Sequence, residues 1–217
     1  MPTVRSGSKS RTTASVDRNP RRWLSRRSGL IAALSVVALF GLAGDVIRVP
    51  SRSMENTLLA GEVILVEKLS LGIPIPFTEW RLPGFRELSV GDLLLIRHPH
   101  NQHKTYVKRC VALSGQSVSV RDKAVYVDGT RLADPPFSKY LDPRIQPEWQ
   151  SSRDNLDSRQ VPPGYLFVMG DNRDNSRDSR HWGVLPAENV VGTVFGVLWS
   201  SDPQRGVRWG RLGTIAR

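Results

Sequence analysis

Tyr106-Val107-Lys108-Arg109-Cys110-Val111-Ala112-Leu113 is an apolar run with two adjacent charges set into it. Its β-branched and aromatic residues favour a strand, where successive side chains face opposite sides. Period-two alternation puts Lys108 on one face with Tyr106, Cys110 and Ala112, and turns Arg109 the other way. A lysine in such company is placed to be buried. The ordinary alternative is a lysine that snorkels from a strand edge.

Similar runs recur outward from this one. Val63-Ile64-Leu65-Val66 follows Gly61, and Leu93-Leu94-Leu95-Ile96 follows Gly91-Asp92. Val118-Ser119-Val120 precedes Val125-Tyr126-Val127, which ends in the hairpin signal Asp128-Gly129. Tyr165 to Met169 and Val190 to Trp199 complete the set. Short strands between Gly, Pro and Asp turns predict a mainly β domain over residues 48–217. Leu71 to Arg86 and Asp134 to Pro163 are proline-rich and read as loops. The single cysteine, Cys110, excludes an intramolecular disulfide and reads as a small apolar strand residue.

The formal charge of +11 is unevenly placed. Residues 1–29 hold eight Lys/Arg and one Asp, a surplus of +7, which leaves +4 for the other 188 residues. A basic block ahead of an apolar run is a topology signal, so nucleic acid is not the expected partner. Residues 1–29 read as a basic, disordered tail. Leu30 to Ile47, LIAALSVVALFGLAGDVI, has one charge, Asp45. Its 18 residues reach the lower limit for a spanning helix. The arginines before it predict a cytoplasmic N-terminus, with all that follows on the far side. A removed signal peptide is the rival reading, since Gly41-Leu42-Ala43 offers small residues for cleavage. The long basic region favours a retained anchor.

Pro50-Ser51-Arg52-Ser53-Met54 follows that segment directly. A serine hydroxyl is a poor nucleophile until a base takes its proton. A lysine can be that base only when neutral, and burial is what makes it neutral near pH 7. Taken singly, Ser53 reads as a turn residue. The polar segment Gly170-Asp171-Asn172-Arg173-Asp174-Asn175-Ser176-Arg177-Asp178-Ser179-Arg180, taken singly, reads as a surface turn.

Together these segments resemble the type I signal peptidase family, the Ser/Lys membrane proteases that remove signal peptides. Residues 50–54 with Thr57-Leu58 and Gly61 look like its nucleophile segment, and Gly91-Asp92 with residues 93–96 like its next strand. Tyr106 to Arg109 with Leu113-Ser114-Gly115 look like its lysine segment, and Gly170 to Arg180 like its last. The order is consistent over most of residues 47–217. The resemblance implies Ser53 as acyl-enzyme nucleophile and Lys108 as general base. It implies an oxyanion hole from the Ser53 N–H and the Ser51 hydroxyl. Ser176 would orient the Lys108 amine, and Asp178 and Arg180 would pair to hold the loop, with Asp171 in support. It assigns the shallow pockets for small residues before the cut to Val49, Pro50, Met54, Leu58, Tyr106 and Val107, each of which reads equally well as plain core. No metal or organic cofactor is implied. The partners expected are preprotein signal peptides and membrane lipid, in a bacterial inner membrane or an organelle membrane of similar ancestry.

Some positions depart from the family pattern. Asn56 stands where a proline is usual, which predicts a less rigid turn. Arg52 replaces a small residue, and would lean toward lipid phosphates or crowd the site. The short interval from Lys108 to Gly170 predicts a reduced accessory β domain. His98, His100, His103 and His181 lack paired zinc spacing and read as surface loop residues. Phe77 and Trp80 are candidates for the membrane interface. A self-cleaving Ser/Lys protein of the repressor type would need a helix-turn-helix, for which residues 1–29 are too short and polar. A non-catalytic tethered β domain predicts loss of Ser53, Lys108 or Ser176, and all three are present.

Overall fold

The computed structural model describes residues 44–72 and 84–214. Among these, antiparallel strands dominate. They are β1 (Gly44–Arg48), β2 (Val63–Glu67), β3 (Leu93–His98), β4 (Asn101–Ala112), β5 (Ser117–Arg121), β6 (Ala124–Val127) and β7 (Thr130–Arg131). Then come β8 (Leu156–Gln160), β9 (Tyr165–Met169), β10 (Leu185–Pro186), β11 (Val190–Trp199), β12 (Ser201–Asp202) and β13 (Gly206–Val207). Helix is confined to short turns, such as Ser179–Trp182. The mainly β reading of this domain holds.

The principal sheet has the order β1-β2-β11-β3-β4-β9-β10. It is covered on both faces, which is why β3 reads as a continuous apolar run rather than an alternating one. Leu93 and Leu95 join one core cluster with Val107, Met54 and Leu58. Leu94 and Ile96 join another with Cys110, Leu166 and Val168. The β3–β4 register pairs Leu94 with Lys108 and Leu93 with Arg109. Lys108 therefore lies on the Leu94 face and Arg109 on the opposite one, as the alternation requires.

The register shifts between Cys110 and Ala112 where β4 pairs with β9. This irregularity carries Val111 and Ala112 together into a third cluster with Val118, Val120, Phe167 and Met169. That cluster underlies a four-stranded sheet, β7-β6-β5-β8. Asp128 (φ 50°) and Gly129 (φ 76°) turn β6 into β7 with both dihedrals positive, as a two-residue hairpin with this dipeptide requires.

Three expectations need correction. Residues 44–47, the end of the expected anchor, lie in β1 rather than in a helix. Asp45 forms an ion pair with Lys68 at 2.6 Å, and Ile47 packs on the first core cluster. β-Branched Val46 and Ile47 suit this paired strand. Leu30 to Ala43, the basic tail, and Phe77 and Trp80 lie outside the described residues. Among the described residues no helix is long and apolar enough to cross a membrane. Second, residues 156–160, expected in a loop, form β8, whose burial falls on Leu156 alone. One apolar residue leaves no period to read. Third, β4 starts at Asn101, so polar residues 101–105 extend a hairpin with β3 instead of forming a loop.

Glu62 closes the turn before β2. It is fully buried and accepts from Arg211 Nε and Nη2, from Ser200 Oγ and from the Leu59 N–H, each at 2.8 Å. Burial alone would raise its carboxyl pKa, but these donors hold it below the ordinary value. Arg211→Ala would strand a buried charge and is expected to lower unfolding free energy by about 3 kcal/mol. Adding Glu62→Gln should recover part of that loss in denaturant titrations. Equal stability of Arg211→Ala and wild type would remove Glu62 from this role.

Candidate active site

Three separate parts of the chain converge at one end of the principal sheet: the turn after β1, the middle of β4, and the loop after β9. The turn is helical in character, with Glu55 N–H donating to Arg52 O and Leu58 N–H to Met54 O. Met54, Thr57 and Leu58 are buried and anchor it, which leaves Ser53 at its start. Asn56 has φ 83°. Asparagine tolerates that left-handed conformation, whereas proline's ring fixes φ near −65°. In place of the less rigid turn expected, Asn56 fits a backbone closed to proline.

Ser51 Oγ and Ser53 Oγ lie 3.1 Å apart. Among the described residues the Ser53 backbone N–H makes no hydrogen bond. The Ser53 carbonyl accepts the Asn172 N–H at 3.0 Å, and Asn172 Nδ2 donates to Arg52 O at 3.1 Å. The loop after β9 thus grips the backbone on both sides of the Ser53 N–H without using it.

Lys108 is 2% exposed, and its Nζ donates to Ser176 Oγ at 2.8 Å. Burial pushes its pKa down to about 8. The nearby Asp178 and Asp171 carboxylates oppose this, and the Arg180 guanidinium adds to it. Asp178 is itself buried and accepts from the Gly170 N–H and from Arg180 Nε and Nη2. Burial would raise its pKa, but the Arg180 charge and hydrogen bonds, with Lys108 and the Gly170 N–H, together outweigh that and keep it well below the carboxylate range. Arg180 also donates to Arg153 O and Arg173 O, so the pair stitches its loop together.

Asp171 is buried and takes Arg109 in a two-pronged ion pair at 2.9 and 2.7 Å. It also accepts from Thr57 Oγ1 at 2.6 Å, and its N–H donates to Met54 Sδ. Arg109 faces away from Lys108 yet is as firmly placed, because its charge is paired. Gly170 has no room for a side chain. A Cβ there would stand 2.5 Å from Ser53 O and run into Ser176.

Ser51, Ser53, Tyr106 and Lys108 line one cavity of about 560 Å³. The residues expected in the substrate pockets are divided between cavity and core. Of the six residues proposed, Tyr106 lines this cavity. Val49, Met54, Leu58 and Val107 pack in the first core cluster, and Pro50 is exposed. Their apolar character reflects core packing, the alternative that burial patterns alone leave open. The histidine expectation changes as well. His98, His100 and His181 line the cavity, and His98 packs against the rings of Tyr106 and Trp182. Among the described residues no group of His, Cys, Asp or Glu could hold a metal ion. Burial pushes the Cys110 thiol up to about 12, so it stays protonated.

Sequence reading passed over Arg109, Thr57, Asn172 and Gly170. Arg109 and Asp171 are 62 residues apart, and Thr57 and Asp171 are 114 apart. No local periodicity reports such pairs.

Serine hydroxyls and a buried amine thus share one cavity. The family model for signal peptidase, peptidase S26, matches residues 21–199. A signal peptidase I of Pseudomonas fluorescens is 32% identical over 197 residues, covering 78% of this chain and 69% of that one. A signal peptidase I of Pseudomonas aeruginosa is 33% identical over 196 residues, with 77% and 69% covered. A crystal structure of a signal peptidase I from Enterococcus faecalis aligns with TM-score 0.37 and 25% identity, over 50% of this chain and 97% of that one. The chain belongs to the signal peptidase family, peptidase S26, and is a serine endopeptidase of that type.

The buried amine has a stability signature. The folded chain releases the Lys108 proton near pH 8, while the unfolded chain keeps it to about 10.5. Between those values unfolding takes up a proton, so stability should rise with pH, by up to about 3 kcal/mol. Denaturant titrations of wild type and Lys108→Met across this window check it. The rise should appear in wild type and be missing from the variant.

Proposed function

We propose that Ser53 is the nucleophile and Lys108 the general base of a membrane-anchored signal peptidase I that cleaves preproteins after small residues. The observation that carries this is a buried lysine amine, with a pKa near 8, sharing a cavity with two adjacent serine hydroxyls. At neutral pH a useful fraction of such an amine is unprotonated and able to accept the Ser53 proton as its oxygen attacks the scissile carbonyl. Negative charge then grows on the carbonyl oxygen. The unpaired Ser53 N–H and the Ser51 hydroxyl are the donors to receive it.

Collapse of that intermediate releases the mature protein and leaves the signal peptide as an ester on Ser53. The amine returns its proton to the leaving nitrogen. Neutral Lys108 next draws a proton from water, the resulting attack frees Ser53, and the cycle closes. Ser176 keeps the amine aimed throughout, and Asp178, Arg180 and Asp171 keep Ser176 and its loop in place. In this reading a basic segment within residues 1–29 stays cytoplasmic, residues 30–43 form the body of the anchor, and the β domain works on the far side of the membrane, against lipid.

The decisive assay compares wild type, Ser53→Ala and Lys108→Ala on a preprotein with an Ala-x-Ala cleavage site, in detergent with added lipid. Wild type should cut after the second alanine, and both folded variants should lose activity by a factor of about 1,000 or more. Cleavage surviving in either variant would put the active site elsewhere. In wild type, kcat/KM should climb as pH rises through about 8, because protonated Lys108 is inactive. A flat profile across that range would remove Lys108 as the titrating base.

A further inference from the structure

The lining of the cavity that holds Ser53 and Lys108 has basic but no acidic side chains. Arg52, Arg177, His98, His100, His181 and Lys108 all line it, and none of its lining residues is Asp or Glu. Arg52 directly precedes Ser53, and Arg177 directly follows Ser176. Both arginines are thus chain neighbours of hydroxyl residues at the site, and both line the cavity. Both are exposed, and among the described residues neither side chain makes an ion pair or a hydrogen bond. They stand apart from the molecule's other guanidiniums near the site. Arg109 and Arg180 are buried and taken up by Asp171 and Asp178. Burial lowers the pKa of His98 and His181; the Arg177 charge adds to that effect at both, and the Asp178 charge opposes it at His181. Tyr106 and Trp182 supply apolar wall beside these charges, which limits screening by water.

We propose that this cavity selects preproteins by charge, favouring an acidic side chain and rejecting a basic one within a few residues of the cut, with Arg52 and Arg177 as its specificity-determining residues. The proposal rests on Ser53 being the nucleophile, since that fixes which part of a substrate lies beside Arg52. A peptide that reaches Ser53 enters the cavity that both arginines line. A carboxylate there gains two unpaired partners, and an ammonium or guanidinium meets like charge. Neither arginine is needed to place Lys108, whose position depends on Ser176 and the strand it comes from.

The experiment uses the full chain in nonionic detergent without anionic lipid. The substrates are preproteins with Asp, Gln or Lys placed in turn at each of three positions on either side of an Ala-x-Ala cut. Wild type at low salt should show, at one or more positions, a kcat/KM ratio of Asp to Lys of about tenfold or more. The ratio should shrink toward one at 0.5 M salt. In Arg52→Gln/Arg177→Gln the low-salt ratio should fall to within about twofold of one, whatever happens to the absolute rate. Near-ultraviolet circular dichroism checks that the variant is folded, and the salt series on wild type stands independently of it. A wild-type ratio near one at every position overturns the proposal. So does a ratio that persists in the double variant. A cavity that holds a lipid phosphate instead would show no charge ratio here and a rate that depends on added anionic lipid, which also overturns it. The Gln substrates separate this outcome from failure of the underlying reading. If wild type cleaves them and Ser53→Ala does not, only charge selection is in question. If wild type leaves them uncut, both fall together.

Discussion

The Asp171 carboxylate is the constraint on which the site depends. Buried and ionised, it must be paired to be tolerated. Its partners come from two places distant in sequence. Arg109 lies one residue after Lys108 in β4, and Thr57 lies four residues after Ser53 in the turn. Satisfying one charge therefore fixes the strand that carries the amine and the turn that carries the hydroxyl against the same loop. Met54 Sδ receives the Asp171 N–H, and the Ser53 and Arg52 carbonyls receive the Asn172 N–H and Nδ2, so the next residues repeat the link. Gly170 lets the loop come this close, because any side chain there would meet Ser53 and Ser176.

The same loop controls the amine by a different balance. Lys108 sits near one buried carboxylate, Asp178, and one buried guanidinium, Arg180, whose effects on it oppose each other. Asp171 adds to the Asp178 effect, and burial, the largest influence, decides the direction of the shift. An unpaired Asp178 beside Lys108 would hold the amine protonated. Arg180 thus acts on the amine at one remove, by occupying the carboxylate that would otherwise claim the lysine. The loop is held in turn by the Arg180 bonds to Arg153 O and Arg173 O.

The surroundings of the cavity follow another logic from the groups inside it. Lys108, Ser176 and Asp178 are buried and satisfied, whereas Arg52 and Arg177 are exposed and without partners among the described residues. Rigid, paired groups suit a reaction that must reproduce one geometry. Exposed, unpaired charges suit recognition, because a substrate can supply the missing partner. Arg52 and Arg177 give the cavity an exposed, charged rim around a closely held interior.

The strands of the principal sheet were legible because short apolar runs bounded by Gly, Pro and Asp turns suit buried strands. Val63 to Val66, Leu93 to Ile96 and Tyr165 to Met169 form where their composition puts them. The opposite facing of Lys108 and Arg109 was equally legible, since alternation is a property of the strand itself. Polar strands escaped, as in residues 101–105 and 157–160, because pairing rather than composition makes them extended. By itself the sequence determined the β domain, the candidate serine and lysine, and the polar loop that follows β9. Only tertiary structure decided that Val49, Met54, Leu58 and Val107 pack in the core while three histidines face the cavity. Apolar residues look alike whether they touch a substrate or one another, and a buried ion pair spanning 62 residues leaves no trace in local pattern. The placement of each charge is set by which partner the fold brings to it.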